Sequence, residues 1–257
     1  VANYVLSGDA SDSSGNDYHG VASGGVTFIT DPVRGDVASF DGVNGSINVS
    51  ASGYAITENG VDGAQFCISF WIKPTVIDVN ANTVKDVNVL MGGTDHGVIE
   101  IVGENSWSGM GGTAAYGGVG VNSGGGAGST GKVASIDLYD GDWHYVVIQW
   151  VDPDGTVAGG DAAHAEVYID GQFGANYGNK YNGNGNVGNM VLGGPVVWSN
   201  GGAANKYYKG LMSDVTFYDG QLTALEVVNG YDPANDTTYT WTCPTAGDGL
   251  WDTTGNW

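Results

Sequence analysis

Apolar residues along this chain come in short runs that alternate with polar ones, and Gly, Asn, Asp and Pro punctuate them every few residues. That period of two predicts strands at NYVLSG, VASFDG, SINVS, FCISFWIKP, DVNVLMGG, VIEIVG, KVASIDLY, WHYVVIQWVD, AEVYIDGQ, NMVLGG, YKGLMSDVTFYDG and TYTWTC. Within FCISFWIKP, Phe66, Ile68, Phe70 and Ile72 fall on one face, and Cys67, Ser69 and Trp71 on the other. Bulk on both faces predicts a strand in the middle of a sandwich. Helical character is confined to LTALEVVNGY, Leu222 to Tyr231. There Thr223 is placed to cap, Leu222, Leu225 and Val228 repeat as an apolar set, and Gly230 supplies the stop. Many short strands and one short helix predict an all-β fold, a two-sheet antiparallel sandwich.

Two long excursions interrupt this rhythm, Glu104 to Gly131 and Gly174 to Lys206. Loops of that length in a compact domain tend to be functional or mobile. Past Tyr231 the composition shifts to Thr, Asp and Trp. The expected division is a sandwich over residues 1–231 and a short C-terminal β tail, 232–257, packed on the sandwich or on a neighbouring subunit.

Charge narrows the partners. The 257 residues include 28 acidic and 7 basic ones, a net charge of −21. Nucleic acid is excluded as a partner, because its affinity comes from Lys and Arg neutralising phosphates. Anionic membranes are disfavoured in the same way, and no run approaches the roughly 18 apolar residues of a membrane-spanning helix. Cations are welcome in such a field. Two cysteines, Cys67 and Cys243, fit either one disulfide in an exported protein or a pair of separate thiols.

Four stretches carry a family resemblance: DSSGNDYHG followed by VASFDGVNGSINV; FCISFWIKP; DGDWHYVVIQWVD with AEVYIDGQ; and YKGLMSDVTFYDGQLTALEV. Their order resembles a laminin-G-like domain of the concanavalin A-like lectin/glucanase superfamily, over roughly Tyr4 to Tyr231. The resemblance implies a jelly-roll sandwich and an extracellular or cell-surface location. It also implies a structural calcium between the N-terminal loop and a late strand, held by Asp12, Asn16 and Asp214 with a backbone carbonyl near His19 or Gly20. The alternative reading of the same loop is a set of Asx and Ser turns. Oxygen-rich loops suit calcium, whereas the His19 imidazole suits softer metals.

The glucanase branch of this superfamily suggests a catalytic reading of VIEIVGE, but that stretch lacks the chemistry. Glu100 and Glu104 share a strand face with Val102 between them, where the branch has a carboxylate. Backbone positions four apart on a strand lie about 13 Å from each other, while retaining hydrolysis needs carboxyl groups about 5 Å apart. The four histidines, His19, His96, His144 and His164, show no paired metal spacing. The chain is therefore expected to be non-catalytic. Trp71, Trp143 and Trp150 lie in strand stretches and are expected in the core. Trp107, Tyr116, Tyr177, Tyr181 and Trp198 lie in the excursions among Asn, Ser and Gly, which suits stacking on sugar rings. The expected function is a recognition or adhesion module for a polysaccharide or cell-surface glycan. The alternative is a self-assembling subunit of an extracellular filament or surface layer, joined through its tail or a sheet edge.

Overall fold

A computed structural model describes residues 2–49, 67–75, 87–91, 98–101, 117–122, 128–151, 164–178, 191–194, 196–197, 203–204, 207–218 and 220–231. The chain begins with β1 (Ala2–Tyr4), β2 (Val21–Ser23), β3 (Val26–Asp31), β4 (Gly35–Asp41), β5 (Ser46–Asn48) and β6 (Cys67–Pro74). It continues through β7 (Val87–Met91), β8 (Val98–Ile101), β9 (Val119–Asn122), β10 (Gly128–Lys132), β11 (His144–Val151) and β12 (His164–Ile169). Next come β13 (Gln172–Phe173), β14 (Ala175–Gly178), β15 (Val191–Leu192), β16 (Val196–Val197), β17 (Ala203–Ala204) and β18 (Lys209–Tyr218), then the helix α1 (Ala224–Gly230).

The strands form two large antiparallel sheets, as the alternating pattern predicts. The first runs β13-β12-β11-β6-β18-β4-β3, with β1 also paired to β18. The second runs β14-β10-β9-β8-β7-β15-β5-β2, and β16 with β17 makes a separate ribbon. Ile68, Phe70 and Ile72 of β6, Val146 and Ile148 of β11, and Met212, Val215 and Phe217 of β18 are buried in one core cluster with Ile47, Ile101, Val119 and Leu192 of the second sheet. This interior is the space between the two sheets.

The two-faced reading of β6 holds. Its other face joins Cys67 and Trp71 to Tyr145 and Val147 of β11, and Val227 of α1 closes over them. Thr223 caps α1 through a full capping box: its Oγ1 accepts from Glu226 N, and the Glu226 carboxylate accepts from Thr223 N at 2.7 Å. The buried face differs from the one expected. Val227 is the residue that α1 buries, while Leu225 and Val228 are 68% and 50% exposed. About two turns of helix laid on a sheet bury the position at the contact and leave the rest outside.

Three further differences have local causes. KVASIDLY is a run of turns after β10, closed by bonds from Ile136 N to Val133 O and from Asp140 N to Asp137 O. Its adjacent Leu138 and Tyr139 fold back into the core. VTFITD, not expected as a strand, forms β3 at the sheet edge, and the first excursion contains the hairpin β9–β10. Cys67 is fully buried on the outer face of β6, and Cys243, with which it could form a disulfide, lies outside the described residues, as does the whole tail 232–257.

Candidate functional site

The loop from Asp12 to Gly20 is organised by one carboxylate. Asp12 Oδ1 accepts from Asn3 N at 2.9 Å and Ser14 N at 2.9 Å. Its Oδ2 accepts from Ser14 Oγ at 2.8 Å and Tyr18 N at 3.1 Å. Burial by itself disfavours the charge, but these four donors outweigh it and hold the carboxyl below its usual range. Asp12 N in turn donates to His19 Nδ1 at 3.1 Å, and Asn16 Nδ2 to Ser14 Oγ at 3.2 Å. The loop is thus a hydrogen-bonded clasp on β1.

Asp214 sits elsewhere in the scheme. Its Oδ2 accepts from Arg34 Nη2 at 2.7 Å, and Arg34 Nε donates to Ser213 Oγ at 2.8 Å. Arg34 is nearly buried, with its guanidinium 4.0 Å above the Trp71 ring. As arranged, Asp12 and Asp214 do not fit the calcium centre expected of them. A carboxylate offers about four acceptor positions. Those of Asp12 are taken by protein donors, and Asp214 is matched by a guanidinium. Among the described residues no three His, Cys, Asp or Glu converge on one point. The link between the N-terminal strand and the late strand is instead made by backbone pairing: Ala2, Asn3 and Tyr4 face Phe217, Thr216 and Val215.

DGDWH and YIDG meet at the other end of the first sheet. Asp170 and Gly171, both at positive φ, make the two-residue turn between β12 and β13. His144 Nδ1 lies 2.9 Å from Asp170 Oδ2, and its Nε2 lies 3.1 Å from Asp140 Oδ1. Only a doubly protonated ring donates to both carboxylates. Burial pulls the ring toward neutrality, yet the hydrogen bonds and charges of Asp170 and Asp140 prevail and raise its pKa above the ordinary 6.5. These groups, like Trp71 and Trp143 beside Arg34, staple strands together, as expected for the strand tryptophans. The Trp150 side chain lies outside the description.

The outer face of the second sheet is different in character. Ile101, Val119, Ile47 and Leu192 are core residues, so the positions alternating with them lie on the face away from the first sheet. Val21 and Asn48 on that face are exposed. Register places five such positions in one row across five strands. Asn88 pairs with Glu100, Glu100 with Gly120, Gly120 with Thr130, and Thr130 with Tyr177. Gly120 is buried and brings no side chain to the row. Lys132 shares the face two positions from Thr130 along β10. Of the five aromatics expected to bind ligand, only Tyr177 has a described backbone position, on strand β14 rather than on a loop, and its side chain lies outside the description. Trp107, Tyr116, Tyr181, Trp198 and Glu104 lie outside the described residues. Asn88 and Thr130 were not singled out by sequence, because only strand pairing brings them beside Glu100 and Tyr177.

A β-sandwich of this topology is the architecture of the jelly-roll lectins. The family model for the concanavalin A-like lectin/glucanases superfamily matches residues 48–228, and the chain belongs to that superfamily. No curated protein sequence matches it. Solved structures similar to it include domain 4 of AbnA, a GH43 extracellular arabinanase from Geobacillus stearothermophilus, in complex with arabinotriose. That domain is 20% identical with a TM-score of 0.58, over 90% of this chain and 97% of the domain. The binding domain of Paraclostridial Mosquitocidal Protein 1 is 15% identical with a TM-score of 0.61. The botulinum neurotoxin serotype D ligand-binding domain in complex with N-acetylneuraminic acid is 13% identical with a TM-score of 0.52. Each alignment with a toxin domain covers 90% of this chain and about half of the toxin domain. At these identities the likeness is one of fold.

Two predictions follow from the polar clusters. Asp12→Asn replaces an acceptor with an amide donor facing other donors, at a cost of about 1–3 kcal/mol. The melting temperature is expected to fall by the same amount in calcium and in chelator; a loss seen only with calcium present would overturn the hydrogen-bonded assignment. For His144, a folded pKa raised above the unfolded value means stabilisation that is complete below about pH 6.5 and is lost as pH rises through the folded pKa. In urea unfolding, the gap between wild type and His144→Gln should therefore shrink from pH 6 toward alkaline pH, and a constant gap would refute the imidazolium.

Proposed function

We propose that this chain is a non-catalytic carbohydrate-recognition module that works outside the cell. The observation that carries this reading is the row of amide, carboxylate, hydroxyl and phenol positions on the outer face of the second sheet. Aromatic rings stack on the C–H faces of sugars, while amides and carboxylates pair with their hydroxyls. Support comes from the arabinanase domain bound to arabinotriose and the neurotoxin domain bound to N-acetylneuraminic acid. Hydrolysis is disfavoured because Glu100 is the only carboxylate in the row among the described residues, and retaining chemistry needs two about 5 Å apart. A glycan array is expected to retain the protein on at least one oligosaccharide, without release of new reducing ends. A blank array, or turnover of a bound glycan, would sink the proposal.

A second reading is a self-assembling subunit, and β3 favours it. This six-residue edge strand ends the first sheet with Thr27, Ile29 and Thr30 exposed and no charge before Asp31. Natural edges are ordinarily protected by charge, proline or bulges. Light scattering decides the matter: a single species of 26.4 kDa at every concentration excludes assembly, and concentration-dependent growth abolished by Ile29→Lys supports it.

A further inference from the structure

We propose that Phe173, Leu225 and Val228 form an apolar docking strip for the segment that follows the helix, residues 232–257 of the same chain. The first observation is a helix face without a partner. Leu225 and Val228 stand three residues apart on one side of α1, at the spacing of a buried stripe. Yet α1 buries Val227 against the first sheet and leaves those two 68% and 50% exposed. An ordinary surface helix turns its apolar stripe to the core and its polar residues to water. Here a second apolar face points away from the sheet.

Phe173 extends that face onto the neighbouring hairpin. It pairs with Tyr168 in register, and the two rings meet edge-on with centroids 5.3 Å apart. Tyr168 packs against the cluster beneath α1, so Phe173 lies on the same side of the first sheet as the helix. Its side chain is exposed. The Asp170–Gly171 turn brings hairpin and helix together: a methyl group on Gly171 would lie 3.5 Å from Val228 Cα and 3.7 Å from Tyr231 Cβ. Three large apolar side chains thus gather around one turn with their outer surfaces open. Single exposed apolar residues need no explanation, but a contiguous group of them marks an interaction surface.

The occupant follows from where the chain goes next. Tyr231 caps α1, its N–H donating to Val228 O at 3.2 Å and Val227 O at 3.3 Å, and its ring stacks on Trp71 at 5.9 Å. Residue 232 therefore starts beside the strip. Residues 232–257 include Trp241, Trp251 and Trp257, three of the eight tryptophans, together with Tyr239 and Leu250. That is enough apolar surface to cover the strip. Trp241 comes ten residues after Tyr231, a reach of up to about 33 Å, so it spans the strip from its tether. Tethering also gives a segment an effective concentration of order millimolar, which any separate molecule has to exceed.

The test places a benzophenone amino acid at position 225 of the intact chain and irradiates an equal mixture of light and isotopically heavy protein. Chymotryptic peptides are expected to show crosslinks from 225 into residues 232–257, each within one isotope. The same probe in place of Val43, exposed at the turn after β4, is expected to give none. Crosslinks to 232–257 that are absent from 225, or equally frequent from 43, overturn the strip. Crosslinks that mix the isotopes overturn the same-chain assignment and make a second copy the occupant. Amide exchange gives a readout without a probe. Leu225→Asp combined with Val228→Asp is expected to speed exchange within residues 232–257 by about tenfold or more, and unchanged rates overturn the proposal. Both side chains are exposed, so the circular dichroism of this variant is expected to match wild type; if it does not, the crosslinks decide.

Discussion

The fold turns on a single inserted residue in its longest strand. β18 pairs with β6 along one side, and on the other it pairs first with β4 and then with β1. Met212 is in the core, and strict alternation would put Asp214 and Thr216 there after it. The register shifts between Ser213 and Thr216, and Val215 and Phe217 are the residues buried instead. A bulge exchanges the two faces of a strand in this way. Asp214 adopts φ 50 to do so, and its carboxylate is tied to Arg34. Removing the bulge would turn a carboxylate and a threonine inward. An arginine stacked on Trp71 thereby links the bulge of β18 to the outer face of β6 and to the turn after β3.

That constraint separates structural from available surface. Along β6 and β11 the first sheet is covered on both sides, by the second sheet within and by Val227, Leu222 and Tyr231 without. The buried chemistry of this layer is saturated with protein partners: His144 between two carboxylates, Asp31 accepting from Val33 N, Arg34 N and Trp143 Nε1, and a Cys67 thiol pushed up by burial to about 12. Such groups hold strands in place and have little capacity left for a ligand. The second sheet presents its polar row on the face away from that interior, which is why the functional reading settles there.

Much of the scaffold was legible in the sequence. The doubled faces of FCISFWIKP and the helix cap at Thr223 are local signals with local causes, and the structure reproduces each. What failed to show was long-range. VTFITD has a strand-like composition but gains its place only by pairing with β4. Leu225 and Val228 repeat at helical spacing, yet the position of α1 on the sheet selects Val227. Asp12 and Asp214 look like metal ligands in one dimension. In three, backbone amides and Arg34, 180 residues away from Asp214 in sequence, occupy them. The site was the least legible part, because Asn88, Glu100, Thr130 and Tyr177 are unrelated in sequence and become neighbours only through four successive ladders.

A row built on strands also has a thermodynamic consequence for recognition. Loop aromatics must be ordered when a ligand arrives, and each rotamer-rich side chain immobilised costs roughly 0.5–1.5 kcal/mol. Positions fixed by backbone ladders begin with the spacing already set, so the order of binding groups survives without the ligand. Sugar–protein contacts are individually weak, since each hydroxyl exchanges water for protein at a small net gain. Under that condition geometry contributes more than any one contact, because groups carried at the repeat of a sheet meet a ligand in a fixed order.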